Sequence, residues 1–409
     1  LGMTPRFAST VPDALDTARA TLAKLHSVPA LADRYADVMA LDSLEDLIHV
    51  PVMVKDDLNI ALEHLKPKAH RGATWTFQSG GSTGSPKLGY APTGLYMNEV
   101  YEQWKPLGPD DLFVNGWGAG KLWGAHYLMG CYADLAGCTG IGLGAVNRGE
   151  YDVWLEFFAA RGVTSFGGTP SVLRPIIGRA RETGVKLPEL RTVLYLGEEW
   201  NPGLDEDLPL VAPNAKRWGL FGSTETWVVG TNTPECAADT WHVLPSQLVH
   251  VGENQMLDFT SLKPHGLNPV LRYQTGDAGE WVTCTCRGSG PALRVLGRRD
   301  GEVKVRGLLL NADTLTAEVA AQPGVSQVQL VLTEYAARGS TLEVLIVPAR
   351  DAAGELAERI RERILASAFG GPATAFHRDP EALVVRLVED LISNERTGKT
   401  AKLVQRREP

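Results

Sequence analysis

The pattern of apolar and polar positions predicts two different arrangements of helices and strands along this chain, and the change between them lies near residue 300. Up to about residue 65, apolar residues recur at helical spacing over residues 14–25 and 30–39. From about residue 74 to residue 298, short apolar runs alternate with longer segments of helical spacing. That alternation predicts a parallel β-sheet with helices packed on both of its faces.

Glycine-containing clusters fall where the predicted strands of this region should end. We predict strands over 111–115, 163–166 and 193–196, and helices over 120–136, 151–161 and 171–182. The clusters lie at residues 167–170, 196–199 and 221–225. Because ligands of parallel sheets bind beyond the carboxyl ends of the strands, the clusters predict where a binding site should be.

The order of elements changes after residue 298. We predict a strand over 302–310, a helix over 314–322 with Asp313 as its N-cap, and strands over 327–333 and 342–348. A charged amphipathic helix over 354–369 and a strand over 383–389 follow. This β-α-β-β-α-β order is typical of a ferredoxin-like α+β unit. The chain is therefore predicted to have a large α/β domain, residues 1–299, and a small domain, residues 300–409.

The composition narrows the classes of function. Of the 409 residues, 44% are hydrophobic and 22% are charged, which is ordinary for a globular protein and argues against disorder. A net charge of -8, with a locally basic stretch only at 399–407, argues against a nucleic-acid partner. No apolar run is long enough to span a bilayer and no signal pattern is present, so we expect a cytoplasmic protein without a membrane partner. A homodimer stays open.

One loop concentrates glycine and hydroxyl residues before a lysine. It contains Ser79, Gly80, Gly81, Ser82, Thr83, Gly84 and Lys87. Glycine lets backbone N–H groups approach an anion, hydroxyls add donors and lysine adds a charge, so the loop predicts a polyphosphate site. It is not a Walker loop, because the lysine does not follow a glycine directly. A flexible surface turn is the alternative interpretation.

The string SGGSTGSPK in this loop resembles the phosphate loop of the adenylate-forming superfamily, which includes acyl-CoA synthetases, peptide-synthetase adenylation domains and luciferases. PVMVKDDL at 51–58 and GAGKLWGAHYLMG at 118–130 are similar to the phenylacetate-CoA ligase group. The resemblance implies a large AMP-binding domain and a small mobile domain. It also implies ATP and Mg²⁺ as cofactors, and activation of a carboxylic acid as an acyl-adenylate with release of pyrophosphate.

The string FGSTETW resembles the superfamily's aromatic-Gly-x-Thr-Glu motif. The resemblance implies that Phe221, followed by Gly222, flanks adenine, that Thr224 faces the α-phosphate and that Glu225 helps to bind Mg²⁺, which prefers oxygen ligands. A glutamate that caps a helix is the alternative. The cluster at 196–199 adds Gly197 and Glu198 to the predicted nucleotide-binding residues.

Three later strings continue the resemblance in the same order. YQTGDAGEW has Gln274 where the family has arginine, and it implies that Asp277 accepts both ribose hydroxyls, as two carboxylate oxygens can. LGRRDGEVKVRG implies a nucleotide contact at Arg298 and a hinge at Asp300. NERTGKTAKL implies that Lys399 stabilises the charge that develops during adenylation. A Gly-Asp turn and a solvated lysine are the alternatives.

The cysteines form a separate candidate site. Five cysteines in a cytosolic chain do not indicate a disulfide framework. Cys236, His242, Cys284 and Cys286 together provide three thiolates and one imidazole, a ligand set typical of structural zinc. Members of the phenylacetate-CoA ligase group have similar Cys/His positions. Buried cysteines without a metal are the alternative, because the spacing is not a standard zinc pattern.

The two substrates are less closely defined. We predict an apolar slot for the acid between residues 116–126 and 165–170, lined by aromatic or small residues, so an aromatic acid fits best. These residues are Trp117, Trp123, His126, Phe166, Gly167 and Gly168; packing in the core is the alternative role for either tryptophan. Residues 308–319 depart from the family pattern near the thiol acceptor, so CoA, a carrier-protein phosphopantetheine arm and an amine stay open. A nucleotide-binding relative without turnover is the contrasting hypothesis.

Overall fold

The computed structural model describes most of the chain. The described residues are 11–38, 40–78, 88–120, 122–146, 148–263, 265–286, 290–298, 302–305, 308–335, 339–349, 354–366, 376, 382–394 and 398–408. They form two compact units: a large unit, which holds most of the residues up to Leu296, and a small unit, which holds most of those from Gly297 onwards. No helix in these ranges is long and apolar enough to cross a bilayer.

Helices open the large unit. They are α1 (Ala14–His26), α2 (Ala32–Tyr35) and α3 (Lys55–Leu65). The apolar face of α1 buries Leu22 and Leu25, which confirms the first helical pattern. The second pattern, predicted over 30–39, yields only a single turn, preceded by a 3₁₀ turn at Pro29–Leu31.

A two-stranded hairpin carries the glycine-rich loop. Its strands β1 (Thr74–Gln78) and β2 (Leu88–Pro92) pair antiparallel, with Gln78 opposite Leu88. The residues between these two positions, which include all seven predicted phosphate-binding residues, lie outside the described ranges. Helix α4 (Met97–Gln103) follows the hairpin.

The core of the large unit is an eleven-stranded sheet of the described residues. The elements that build it and pack on it are β3 (Leu112–Asn115), α5 (Ala125–Ala136), β4 (Thr139–Ile141), α6 (Tyr151–Arg161), β5 (Ser165–Gly168), α7 (Pro170–Thr183), β6 (Thr192–Leu196), α8 (Pro202–Val211), β7 (Lys216–Ser223), β8 (Trp227–Asn232), β9 (Thr240–Val243), β10 (Gln247–Val251), β11 (Met256–Ser261), β12 (Tyr273–Cys284) and β13 (Gly290–Arg298). The strand order is β10-β11-β12-β13-β9-β8-β7-β6-β5-β3-β4.

The sheet is parallel in one half and antiparallel in the other. Strands β4, β3, β5, β6 and β7 run parallel, and the pairs β7–β8 and β8–β9 are antiparallel. The parallel half confirms the predicted strands and helices, although α5 begins at Ala125 rather than at residue 120 and β5 is two residues later than predicted. Helix α6 has the predicted bounds because Gly162, at a φ of 64°, ends it with a left-handed cap.

The described part of the small unit contains a four-stranded sheet with helices beside it. A separate hairpin, β14 (Glu302–Val305) with β15 (Leu308–Asn311), precedes α9 (Ala312–Ala320). Strands β16 (Val325–Tyr335), β17 (Gly339–Pro348), β18 (Leu383–Leu387) and β19 (Leu403–Glu408) form the sheet in the order β18-β17-β16-β19, and α10 (Leu356–Ala366) connects β17 to β18.

Two details of the small unit differ from the sequence prediction. The segment predicted as one strand over 302–310 is a hairpin, and β19, which was not predicted, pairs with β16 instead. The N-cap of α9 is Asn311, whose side chain accepts the Thr314 N–H at 2.9 Å, and not Asp313. The predicted class is nevertheless confirmed: a large α/β domain with a small α+β domain.

Candidate active site

The predicted magnesium ligand lies in a tight turn between β7 and β8. Glu225 is 2% exposed, and the Tyr273 hydroxyl donates a hydrogen bond to its Oε1 at 2.9 Å. The Asn268 side chain donates to the Glu225 carbonyl oxygen at 2.7 Å. The turn is a strand connection and not the start of a helix, so Glu225 does not act as a helix cap. A buried carboxylate is thus held in one orientation.

Strand β2 brings one end of the glycine-rich loop to this turn. An added side chain at Gly89 would overlap the carbonyl oxygen of Thr224, so the two backbones touch there. Only glycine permits that approach. Thr224 and Glu225 therefore lie beside the strand that leaves the predicted phosphate loop, an arrangement that suits a metal–phosphate complex.

The predicted ribose ligand lies on the strand that supplies the Tyr273 hydroxyl. Asp277 is four residues along β12 from Tyr273, and its Oδ2 accepts the Thr275 hydroxyl at 2.6 Å. The upstream string at 51–58 supports this strand: Met53 N–H donates to Arg272 O and Gln274 N–H donates to Met53 O, both at 2.9 Å. The structure thus brings two of the strings together through backbone pairing.

The remaining candidates for nucleotide binding in the large unit lie in two places, on β7 and directly after β6. Phe221 is half-buried, and its ring centroid lies 5.6 Å from that of Trp241, so one edge of the ring is held in place. Glu198 instead accepts the Ser171 N–H and hydroxyl, both at 2.9 Å, at the first turn of α7. A carboxylate at a helix N-terminus stabilises the positive end of the helix dipole. Gly197 precedes it at a φ of 88°, and Gly222 lies at a bulge in β7.

The predicted acid slot contains both packed and accessible side chains. Trp117 and Phe166 are at most 1% exposed, and the Trp117 ring packs directly on Gly167. Gly168 and Trp123 are also buried. These contacts favour the packing role for Trp117 and Phe166.

His126 is the half-buried member of the set. Its Nδ1 lies 2.7 Å from the Trp117 carbonyl oxygen, so Nδ1–H is the donor. The other ring nitrogen, Nε2, lies next to Gly142, where a Cβ would be 3.6 Å away. A glycine at that position leaves room beside the imidazole for part of a ligand.

The remaining candidates lie on both sides of the predicted domain boundary at residue 300. Lys399 lies in the small unit, where its carbonyl oxygen accepts the Asn394 N–H at 2.8 Å and the next residue, Thr400, pairs with Ser393. Arg298 ends β13, but its side chain lies outside the described part of the chain, as does the whole of Asp300. Their predicted roles stay predictions.

The cysteine and histidine candidates converge. The ligand atoms of Cys236, His242, Cys284 and Cys286 all lie within 4.8 Å of one another. The three cysteines are at most 7% exposed, and the Sγ atoms of Cys236 and Cys284 are 3.7 Å apart. A tetrahedral zinc with bonds of about 2.3 Å separates its sulfur ligands by about 3.8 Å, so the donor set fits zinc in chemistry and spacing.

Burial also favours the ligand form of the imidazole. It lowers the pKa of His242, so the neutral ring that can bind a metal is favoured. Its Nε2 lies 3.1 Å from the Cys286 sulfur. The four residues come from the β8–β9 connection, from β9 and from the end of β12, so a metal would tie three segments of the sheet together.

Two residues of the site were missed as functional candidates. Tyr273 stands in a string that was singled out, but a tyrosine in a strand is ordinarily a packing residue and received no role. Asn268 lies 43 positions from Glu225 in the chain, and no local pattern connects the two.

Comparisons with known proteins agree with this geometry. Residues 10–255 match the family described as AMP-binding enzyme. A 2-hydroxyisobutyryl-CoA ligase in complex with its acyl-AMP has a TM-score of 0.70 at 16% identity, over 98% of this chain and 91% of that one. The same ligase with acyl-AMP and CoA, in the thioesterification state, gives 0.60 at 18% identity, over 98% and 91%.

A second protein shares the fold over less of its length. ATP-bound MatB from Rhodopseudomonas palustris gives a TM-score of 0.55 at 16% identity, over 81% of this chain and 66% of that chain. No curated protein sequence matches significantly. At these identities the structural neighbours establish the fold, and the family match extends over more than half of the chain. The chain therefore belongs to the AMP-binding enzymes of the adenylate-forming superfamily.

Proposed function

We propose that this protein uses ATP and Mg²⁺ to convert a carboxylic acid into an acyl-adenylate with release of pyrophosphate, and then transfers the acyl group to a thiol. One observation carries the proposal: the Tyr273 hydroxyl holds the buried Glu225 carboxylate beside the strand that leaves the glycine-rich loop. Asp277 lies on the same strand as Tyr273. Strand β12 thus connects the proposed metal ligand to the proposed ribose ligand, and the metal ligand lies beside the strand that leaves the predicted phosphate loop.

Each residue has a distinct part in adenylation. The loop residues Ser79, Gly80, Gly81, Ser82, Thr83, Gly84 and Lys87 bind the β- and γ-phosphates, and Thr224 contacts the α-phosphate. Glu225 supplies an oxygen ligand for Mg²⁺, which neutralises phosphate charge. Asp277 accepts the ribose hydroxyls, and Phe221 covers one face of adenine. The carboxylate oxygen of the acid then attacks the α-phosphorus in line, and pyrophosphate leaves.

The small domain, residues 300–409, supplies the remaining charge. Lys399 donates to the oxygen that comes to bridge the acyl carbon and the α-phosphorus, and its positive charge stabilises the negative charge that develops on the α-phosphoryl group and the leaving pyrophosphate in the transition state. Arg298 contacts the nucleotide, and Asp300 is the hinge that lets the small domain act in both half-reactions.

The acid is proposed to be aromatic, as in the phenylacetate-CoA ligase branch. The space beside His126 Nε2 at Gly142 and the aromatic residues nearby support this choice. The Cys236, His242, Cys284 and Cys286 site is proposed to hold one structural zinc, since its donor set is closed and Cys236 follows the end of β8 opposite the turn that contains Glu225.

The acceptor is proposed to be CoA. The thioesterification state described for the 2-hydroxyisobutyryl-CoA ligase, which shares the fold, supports a thiol acceptor. A carrier-protein arm presents the same thiol and is the comparison in the test.

A panel of acids tests the function directly. Pyrophosphate release should require an acid, and thioester should form with CoA added. Pyrophosphate release without thioester formation would support the proposed adenylation and rule out CoA as the acceptor. Nucleotide binding without any acid-dependent release would identify the chain as a binding protein without turnover.

A further inference from the structure

A cavity of about 310 Å³ lies at the end of the β1–β2 hairpin opposite the glycine-rich loop. Its lining includes His70, Arg71, Thr93, Tyr96, Asn98 and His265. No acidic residue is among the ten described residues that line it. The charged lining is therefore basic, and it lies among apolar residues such as Pro92 and Met97.

The segment that enters the cavity is basic in a chain that is acidic overall. Residues 64–71 read HLKPKAHR, with no acidic residue, whereas the whole chain has a formal charge of -8. Arg71 is exposed and makes no hydrogen bond or ion pair with any residue in the described ranges. A guanidinium with several open donors suits a planar or tetrahedral oxyanion.

A strained residue fixes the opposite wall. His265 has a left-handed φ of 58°, which is uncommon for a residue with a side chain. The Gly266 N–H donates to Lys263 O at 2.9 Å and closes this turn. The His265 ring stacks on His70, with centroids 5.8 Å apart and planes at 19°. Two imidazoles are thereby held at the cavity together with Arg71.

A buried cation stands behind the cavity wall. Lys263 is 5% exposed, and its Nζ has no hydrogen-bond partner in the described part of the chain. It lies 5.9 Å from the centre of the Tyr96 ring, which lines the cavity. Glu99 is the acidic residue whose charge acts on Lys263. Its carboxylate accepts hydrogen bonds from the Ser246 N–H and hydroxyl. A buried positive charge without a bonded partner favours an anion nearby.

We propose that this cavity is a binding site for a phosphate monoester group. Arg71 and the stacked His70–His265 pair would donate to its oxygens, and Lys263 would contribute charge through the Tyr96 wall. A volume of about 310 Å³ accommodates a phosphate with the sugar or base that bears it.

The position of the cavity indicates which phosphate it takes, and this step rests on the proposed function. Strand β1 covers four residue steps between the cavity and the glycine-rich loop, or about 13 Å. An extended CoA molecule spans at least this distance between its thiol and its 3′-phosphate. CoA has a free phosphate monoester on its ribose, beyond the diphosphate that ends the pantetheine arm, whereas the arm of a carrier protein ends in a phosphodiester. The cavity therefore favours CoA as the acceptor, with free phosphate as the other source.

Two variants that each lose one positive charge test the site. Arg71→Gln removes the guanidinium that lines the cavity, and Lys68→Gln removes an exposed charge from the same segment outside the lining. The KM for CoA and for dephospho-CoA is measured in thioester formation. Calorimetric titration with inorganic phosphate is run on the same three proteins.

The wild-type protein and Lys68→Gln should use CoA with a KM on the order of tenfold below that for dephospho-CoA, as expected for a charge-assisted contact, and Arg71→Gln should abolish the difference. Equal KM values, with phosphate binding that only Arg71→Gln loses, would keep the site and assign it to free phosphate. Equal KM values and no phosphate binding would overturn the proposal. If adenylate forms but no thiol reacts, the proposed acceptor fails, and the phosphate titration alone decides on the cavity.

Discussion

The Tyr273 hydroxyl helps to orient the proposed metal ligand, Glu225. Tyr273→Phe keeps the ring in the core and removes the hydrogen bond to Glu225 Oε1. Because a hydrogen bond to a charged group is worth roughly 1.5–3 kcal/mol, we expect kcat for adenylation to fall about tenfold or more. The Mg²⁺ concentration for half-maximal rate should rise as well, which a change in packing alone would not produce.

Tyr195→Phe is the matched control. Its hydroxyl donates a hydrogen bond to Ala238 O at 2.9 Å. Tyr195 is on β6, which lies on the opposite side of β7 from the strand of Tyr273 in the sheet order. Loss of that bond should lower stability and leave the Mg²⁺ dependence unchanged. Equal effects of the two substitutions on the Mg²⁺ dependence would contradict a positioning role for Tyr273.

The buried Lys263 predicts a pH-dependent stability. Desolvation lowers its pKa from 10.5 to about 8, against the opposing influence of Glu99. Between these two values the unfolded chain binds a proton that the folded chain does not, so stability rises with pH over that range. The cost of the buried charge is present in full below about pH 8, where it is on the order of 3 kcal/mol.

Lys263→Met should therefore raise the free energy of unfolding at pH 7, and the gain should disappear near pH 10.5. Denaturant unfolding of both proteins at the two pH values measures this difference. Lys263→Arg keeps the charge and should give no gain at either pH. A Lys263→Met gain of the same size at both pH values would show that the ammonium is not the cause.

At the scale of elements, the cysteine site connects the β8–β9 connection, β9 and the end of β12 within one sheet. The three cysteines and Ala292 form a small buried cluster of their own. We expect one zinc per chain, and we expect Cys284→Ser to lose it and to lower the Tm by more than about 5 °C. Elemental analysis and thermal unfolding give the two values.

Cys131→Ser provides the comparison, because Cys131 lies on α5 outside the cluster. It should retain the zinc and change the Tm little. If elemental analysis finds well under one zinc per chain after purification with zinc present, the four residues have a packing role and do not bind a metal.

The elements that the sequence predicted best are those with local signals. Gly162 caps the end of α6, and α7 begins at Pro170 and is capped by Gly184, so proline and glycine fix the bounds of these helices. Strand β19 was missed because its partner β16 lies more than 70 positions away and its own residues read as a basic tail. The basic segment at 64–71 was missed as well, because only its proximity to His265 gives it meaning.

The same reasoning explains the site. Glu225 and Asp277 stand in strings that can be recognised from a few residues. Trp117 and Phe166 were predicted to face a ligand, yet their burial depends on glycines at 116 and 167 in neighbouring strands, which a linear pattern does not relate. Glu198 was assigned to the nucleotide, whereas Ser171 determines its position.

At the scale of the whole molecule, the proposed hinge at Asp300 predicts that the two half-reactions can be separated. Asp300→Pro fixes φ near −65° and should permit adenylation while thioester formation falls at least tenfold. Asp300→Ala leaves φ free and should support both reactions. Separate assays of pyrophosphate release and thioester formation measure the two steps. Wild-type rates of both steps in the proline variant would remove Asp300 from the mechanism.

Acid-dependent exchange of labelled pyrophosphate into ATP tests the central proposal most directly, because it reports reversible adenylate formation without any thiol. The wild-type protein should show exchange that requires an aromatic acid and Mg²⁺. Lys399→Ala, which removes one transition-state donor, should reduce it by on the order of a hundredfold or more. Exchange that persists without an acid, or that is unchanged in Lys399→Ala, would contradict the proposed mechanism.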